Sequence, residues 1–263
     1  MDEELIVKAA ETLLGAYASR VPVAPLTAAY PSMSVDEAYA IQLAQVAAWK
    51  DGGARVKGHK VGLTSAAMQR QFGVDQPDFG HLLDTMFLTG GTTADYGRFV
   101  QPRAEPEIAF VLGRPLRGPG VTVAEALAAV DFVLPALEII DSRIADWKIT
   151  LPDTIADNAS SGAVVLGTRP VRPDTVDLAL TGCLIHRNGR IEGTGAGGAV
   201  LGSPVNVLVW LANTLGPLGV TLEAGHVVLP GSVCAAVPFG PGDTVSATFD
   251  RIGTVSITFS DQS

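Results

Sequence analysis

Apolar residues recur at helical spacing from the start of the chain, with Leu5, Ala9, Leu13 and Ala16 on one stripe. Ser34-x-x-Glu37 is a capping-box signature that predicts a second helix. Tyr39, Leu43, Val46 and Ala47 are its expected apolar face, and Asp51-Gly52-Gly53 its stop. Between the two helices, residues 21–26 read as a proline-containing loop. From residue 55 the texture changes to short apolar runs punctuated by Gly and Pro. Strands are predicted at 56–62, 108–112, 133–140 and 163–166. Thr122-x-x-Glu125 caps a short Ala-rich helix, and Asn188-Gly189 predicts a hairpin joining 183–187 to Ile191. Ser203-Pro204 opens a helix through Leu215, with Gly216 at its stop. Strands return at 227–229, 245–249 and 254–259. The pattern is α+β with a dominant β body: a helical region over 1–54 and a β-rich catalytic domain over 55–263.

Composition narrows this picture. With 263 residues, 47% hydrophobic and 17% charged, the chain can bury a large core. A net charge of -9 argues against nucleic acid, which needs a basic face. The acidic Met-Asp-Glu-Glu-Leu start is unlike a signal peptide, and no stretch is read as a bilayer span of ~20 apolar residues, so no membrane is expected. Cys183 and Cys234 have no metal spacing and read as two core thiols in a reducing cytoplasm.

Candidate chemistry centres on three glutamates. Glu105 and Glu107 alternate along one predicted strand and therefore share a face. Glu138 interrupts the apolar run 133–140. Three carboxylates brought together in such surroundings are neutralised by a divalent cation, and all-oxygen ligation favours Mg2+ or Mn2+. The competing reading is a solvated acidic face. Lys60, between apolar residues and glycines in Gly58-His-Lys-Val-Gly62, is a candidate acid/base whose pKa burial and a nearby cation would lower. Gly193-x-Gly195-x-x-Gly198 follows a hairpin and opens no helix, so it reads as a Gly-rich loop and not a dinucleotide fingerprint.

The segments His59-Lys60-Val-Gly-Leu-Thr-Ser65, Gly73-Val-Asp-Gln-Pro-Asp78-Phe-Gly80, Glu105-Pro-Glu107-Ile-Ala-Phe110, Pro135-Ala-Leu-Glu138-Ile-Ile-Asp-Ser-Arg143 and Ala156-Asp-Asn-Ala-Ser-Ser161 occur in order along the chain. In them the sequence resembles the fumarylacetoacetate hydrolase superfamily, and within it the 2-hydroxypenta-2,4-dienoate hydratases. The resemblance implies a mixed β-roll with a small helical N-terminal part. It implies Mg2+ or Mn2+ on Glu105, Glu107 and Glu138, Lys60 as acid/base, and Asp78 as a polar group that positions water. Ser160 and Ser161 fall where the family contacts the substrate carboxylate region, and Asp141, Lys148 and His59 complete the set expected around the substrate. The implied reaction hydrates a small-molecule 2-hydroxy-2,4-dienoate to a 4-hydroxy-2-oxo acid. A homo-oligomer is implied, and a downstream aldolase is compatible as a working partner.

Three other functions fit the same residues. A 4-oxalocrotonate decarboxylase would use the same metal and expel CO2, and Leu151-Pro152-Asp153 leans that way. An acylpyruvate hydrolase would need a base, for which His59 is the candidate. A non-catalytic binding or assembly partner would have no use for four costly charges at one site.

Overall fold

The computed structural model describes residues 1–261, apart from the side chains of residues 71 and 72. The chain opens with three helices, α1 (Glu3–Ser19), α2 (Leu26–Ala29) and α3 (Val35–Asp51). Then come β1 (Val56–Gly62), α4 (Ala66–Phe72), β2 (Asp78–Leu83), β3 (Phe87–Thr89), β4 (Thr93–Ala94) and the long β5 (Pro102–Leu112). After them follow α5 (Val123–Ala129), β6 (Val130–Asp141), α6 (Leu151–Ala156), β7 (Ser161–Leu166), β8 (Gly182–Arg187) and β9 (Arg190–Ala196). The last are α7 (Pro204–Leu215), β10 (Val227–Leu229), β11 (Val237–Pro238), β12 (Thr244–Phe249) and β13 (Gly253–Phe259).

An eight-stranded mixed sheet runs β2-β1-β10-β5-β6-β7-β3, with β11 added to β5. A five-stranded sheet runs β4-β13-β12-β8-β9. Inward residues of both sheets, such as Phe110, Leu137, Ile185, Val245 and Ile257, share one apolar core with α7. The 197–218 stretch is long and apolar enough, by composition, to cross a membrane, contrary to the sequence expectation. Its Val207, Leu208, Leu211 and Leu215 are instead buried in that core.

Capping boxes form at Ser34/Glu37 and Thr122/Glu125 as expected. Asn188 and Gly189 both take positive φ, the type I′ geometry that suits a two-residue hairpin. Two details depart from the pattern. The buried face of α3 is Ala38, Ile41, Gln42, Gln45 and Val46, whereas Leu43 and Ala47 are exposed. Gln42 and Gln45 are drawn inward because their amides donate to the carbonyls of Phe79, Ile155 and Ala156. Gly193 and Gly195 lie in β9, not in a loop, where a Cβ on Gly195 would overlap the Val233 carbonyl.

The first turn of β1 carries a bulge. Its register against β2 shifts between Val56 and Gly58, and Gly58 (φ 156°) lies so close to Val227 that a Cβ would overlap the carbonyl. Beyond the bulge, His59 and Lys60 point to opposite faces of the sheet.

Candidate active site

Glu105 on β5 lies directly opposite Glu138 on β6, and Glu107 follows two residues on along the same face. Their carboxylate oxygens lie within 4.8 Å of one another. Glu107 and Glu138 are fully buried and Glu105 half-buried. Glu107 Oε2 accepts from Gly231 N at 2.7 Å, but Glu107 Oε1 and both oxygens of Glu138 have no hydrogen-bond partner. Burial and the Glu138 charge push Glu105 up to about 7, and the same causes push Glu107 well above the carboxylate range.

Lys60 reaches this cluster from β1, across two intervening strands, with Nζ 3.4 Å from Glu138 Oε1. Side chains stand roughly perpendicular to a sheet, so this meeting requires the sheet to curl around the site. Lys60 Nζ also donates to Ala159 O at 2.9 Å. Burial alone would lower this ammonium. Glu138, Asp78, Glu105 and Glu107 together more than offset that, and its pKa is raised, opposite to the sequence expectation. Asp78, at the start of β2, is buried with Oδ1 unpartnered. A Cβ on Gly62 would collide with that oxygen, so Gly62 keeps room for the carboxylate. Burial raises the Asp78 pKa, and Lys60 moderates the rise.

Ala159 is presented by an unusual turn. Asn158, Ala159 and Ser160 take φ of 53°, 51° and 52°, three consecutive left-handed residues. The turn is braced from both sides. The Asn158 amide exchanges hydrogen bonds with His81 N and O, imitating a strand. Fully buried Arg143 binds Asp157 Oδ1, Asp157 O and Ser161 O, and its guanidinium lies 4.1 Å from the Tyr17 ring centre.

Lys60, Asp78, Glu105 and Ser160 line one cavity of about 640 Å³, a size suited to a small ligand. Glu107 and Glu138 lie against Glu105. The remaining expected residues are elsewhere. Ser161 is buried with its Oγ unpartnered and is not in the cavity wall. Asp141 accepts from Val100 N and Gln101 N, so its carboxylate is consumed in anchoring a loop. Lys148 is exposed and pairs with Asp146. His59 faces the other side of the sheet, its ring centroid 4.9 Å from that of His81. That position takes from the acylpyruvate-hydrolase reading its candidate base. Two cavity residues escaped the sequence reading. Cys234 lines the wall instead of lying in the core, its thiol pushed up to about 11 by burial and by Glu105. Arg103 lines it too, with its guanidinium 4.5 Å from the Trp147 ring centre. Arg103 shares the alternation of Glu105 and Glu107, the one signal that could have found it.

Curled mixed sheet and buried carboxylate cluster together define a class of protein, and sequence comparison names it. Residues 58–260 match the fumarylacetoacetate (FAA) hydrolase C-terminal family, and the chain belongs to that family. It is 47% identical over 252 residues to a 2-keto-4-pentenoate hydratase of Paraburkholderia xenovorans, covering 96% of this chain and 94% of that one. It is 43% identical over 262 residues to a 2-hydroxyhexa-2,4-dienoate hydratase of Comamonas testosteroni, covering 99% of each. Among solved structures, a 4-oxalocrotonate decarboxylase from Pseudomonas putida, complexed with magnesium and adipate, superposes with a TM-score of 0.95. That protein is 34% identical, with 98% of each chain covered.

Proposed function

We propose that this protein is a metal-dependent hydro-lyase that adds water to a 2-hydroxy-2,4-dienoate and yields a 4-hydroxy-2-oxoalkanoate. The observation that carries the reading is the trio Glu105, Glu107 and Glu138, three of whose buried oxygens accept no hydrogen bond, beside Lys60 and Asp78, which line one cavity with Glu105. The donor set fits a hard divalent cation: oxygens on Mg2+ at about 2.1 Å lie roughly 3–4 Å apart, within small side-chain adjustments of the observed cluster. The three glutamates would hold Mg2+ or Mn2+, which supplies Lewis acidity toward a 2-oxygen of the substrate.

The chain's own residues then divide the proton work. Lys60, held as an ammonium by its carboxylate neighbours, delivers a proton from Nζ to C5 and regains one from the 2-hydroxyl group, giving a 2-oxo-3-enoate. Asp78 Oδ1, free of other partners, takes a proton from the water that adds at C4. The proton that Asp78 took from the water is then returned to C3 and completes the 4-hydroxy-2-oxo acid. The turn at residues 158–160 fixes the Lys60 ammonium through Ala159 O.

Chelator-stripped protein mixed with 2-hydroxypenta-2,4-dienoate tests this directly. Loss of the dienol ultraviolet band only with added Mg2+ or Mn2+, with 4-hydroxy-2-oxopentanoate as product, is expected. Decarboxylation is the second reading, favoured by the 0.95 superposition on a decarboxylase. CO2 release from 2-oxo-3-hexenedioate, without hydration of the dienoate, would select it. We further propose a homo-oligomer, since Leu180 and Leu218 are 79% and 66% exposed, and sedimentation velocity tests it. Two free thiols favour a reducing cytoplasm, and an aldolase is the reaction class that would consume the product.

A further inference from the structure

The cavity holds two cationic side chains, and only one of them is occupied. Lys60 is engaged by Glu138 and by Ala159 O. Arg103 lines the same cavity, two residues before Glu105 on β5 and on the same face, about 6.6 Å along the strand. Among the described residues, no carboxylate lies within 4 Å of its guanidinium and no hydrogen bond ties it. Its one partner is the indole of Trp147, 4.5 Å away.

That indole is itself held in place. Trp147 and the preceding Asp146 both take positive φ, 55° and 58°, an uncommon pair for such residues. Gln101 stabilises the arrangement: its carbonyl accepts from Trp147 Nε1 at 3.1 Å, and its side chain bonds Ser142 O, Ile144 O and Asp146 N. A guanidinium stacked on a fixed ring keeps its donor edge free and pre-oriented.

We infer that Arg103, seated on Trp147, is the residue that receives the C1 carboxylate of the substrate. The inference rests on the 2-hydroxydienoate reading above. A planar guanidinium matches a carboxylate with two parallel N–H···O bonds. Ser160, the other polar candidate, already has its Oγ within 3.3–3.4 Å of Thr154 and Asp157. With C1 on the Arg103 side of the glutamates, the diene chain extends toward Lys60 and Asp78, where the proton transfers occur. The cavity wall also offers apolar side chains, Leu63 and Met68 among them, for the uncharged part of the substrate.

Calorimetric titration in Mg2+ with 2-oxopentanoate, which has no double bond to hydrate, separates binding from turnover. Arg103→Gln should weaken its binding about 10- to 100-fold, the range for a charged hydrogen-bonded contact. Arg103→Lys should recover part of the loss, and Trp147→Leu should weaken binding by less than Arg103→Gln. The neutral mimic 2-oxopentanamide should bind wild type and Arg103→Gln alike, a selectivity that a merely structural role would not produce. Equal affinity of 2-oxopentanoate for both proteins would overturn the assignment. So would a loss confined to 2-oxoheptanedioate, which would make Arg103 a reader of the far carboxylate. If no 2-hydroxydienoate is hydrated yet the acid-over-amide preference depends on Arg103, the hydratase reading fails and the assignment of Arg103 stands.

Discussion

The protein buries two clusters of charge, and it treats them in opposite ways. Around Arg143, the guanidinium, the Asp157 carboxylate and the neighbouring carbonyls satisfy one another, and an aromatic ring covers the assembly. Around Glu138, three carboxylates converge on the single ammonium of Lys60, and Glu107 Oε1 and both Glu138 oxygens accept no hydrogen bond. Arg143, Asp157, Glu107 and Glu138 are all fully buried, so burial alone does not distinguish a structural charge from a functional one. Hydrogen-bond completeness does. A satisfied cluster can hold a backbone in place, whereas an unsatisfied one is stable only with a ligand that supplies the missing charge.

Glu107→Gln addresses the unsatisfied cluster and should have the largest effect. The amide oxygen still accepts from Gly231 N, so the fold survives, but turnover should fall by about 10³-fold or more. The metal-free variant should melt no lower than wild type, because one repelling charge is gone. Thermal shift with and without Mg2+ should show the metal-induced gain abolished. A gain as large as wild type's would break the distinction between the clusters.

Arg143→Met addresses the satisfied cluster. It strands Asp157 and should cost about 3–5 kcal/mol in urea unfolding. Mg2+ affinity should change far less than stability. If instead the variant keeps full stability, the turn at 158–160 does not depend on this brace.

A smaller effect lies on the far face of β1. Burial, and secondarily Lys50, holds His81 down at about 4, and burial with the neighbouring histidines holds His59 well below the usual histidine range. Both folded values lie below the unfolded value of about 6.5. The unfolded chain therefore binds more protons between pH 6.5 and 4, and stability is lost as pH falls through that window. His81 accounts for up to roughly 3 kcal/mol of it. His81→Gln should show a flatter decline of Tm from pH 7 to 4.5, and a parallel decline would assign the acid sensitivity elsewhere. Smallest of all, Ser34→Ala removes the α3 cap, remote from both clusters, and should cost about 1 kcal/mol with turnover unchanged.

Local signals made much of the fold legible. Capping boxes, the Asn188-Gly189 turn and the apolar runs located helices and strands because each depends on a few neighbouring residues. Glu105, Glu107 and Lys60 were visible for the same reason: charge stood out against apolar surroundings. What failed depended on contacts far apart in sequence. Gln42 and Gln45 face inward because carbonyls at Phe79 and Ile155 await them, which no helical periodicity records. Asp141 looked like a cavity residue because it follows the Glu138 strand, yet backbone amides at Val100 and Gln101 claim it. Arg103 was passed over because a charge at a strand end resembles any solvated residue until Trp147 is folded across it.

The bulge at Gly58 sets a parity for everything downstream on β1. Strand residues alternate between faces, so the count of residues from the bulge decides which side chain meets the glutamates. With the bulge, Lys60 looks into the cavity and His59 into the histidine cluster behind it. Pairing every residue onward from Val56 against β2 without the bulge would set His59 opposite Gly80 and Lys60 opposite Phe79, and so exchange them. The catalytic cation would then stand among imidazoles, and a ring held neutral would take its place at the carboxylates. A single unpaired backbone position thus decides which of two adjacent residues is available for chemistry, and a glycine with no room for a side chain guards it.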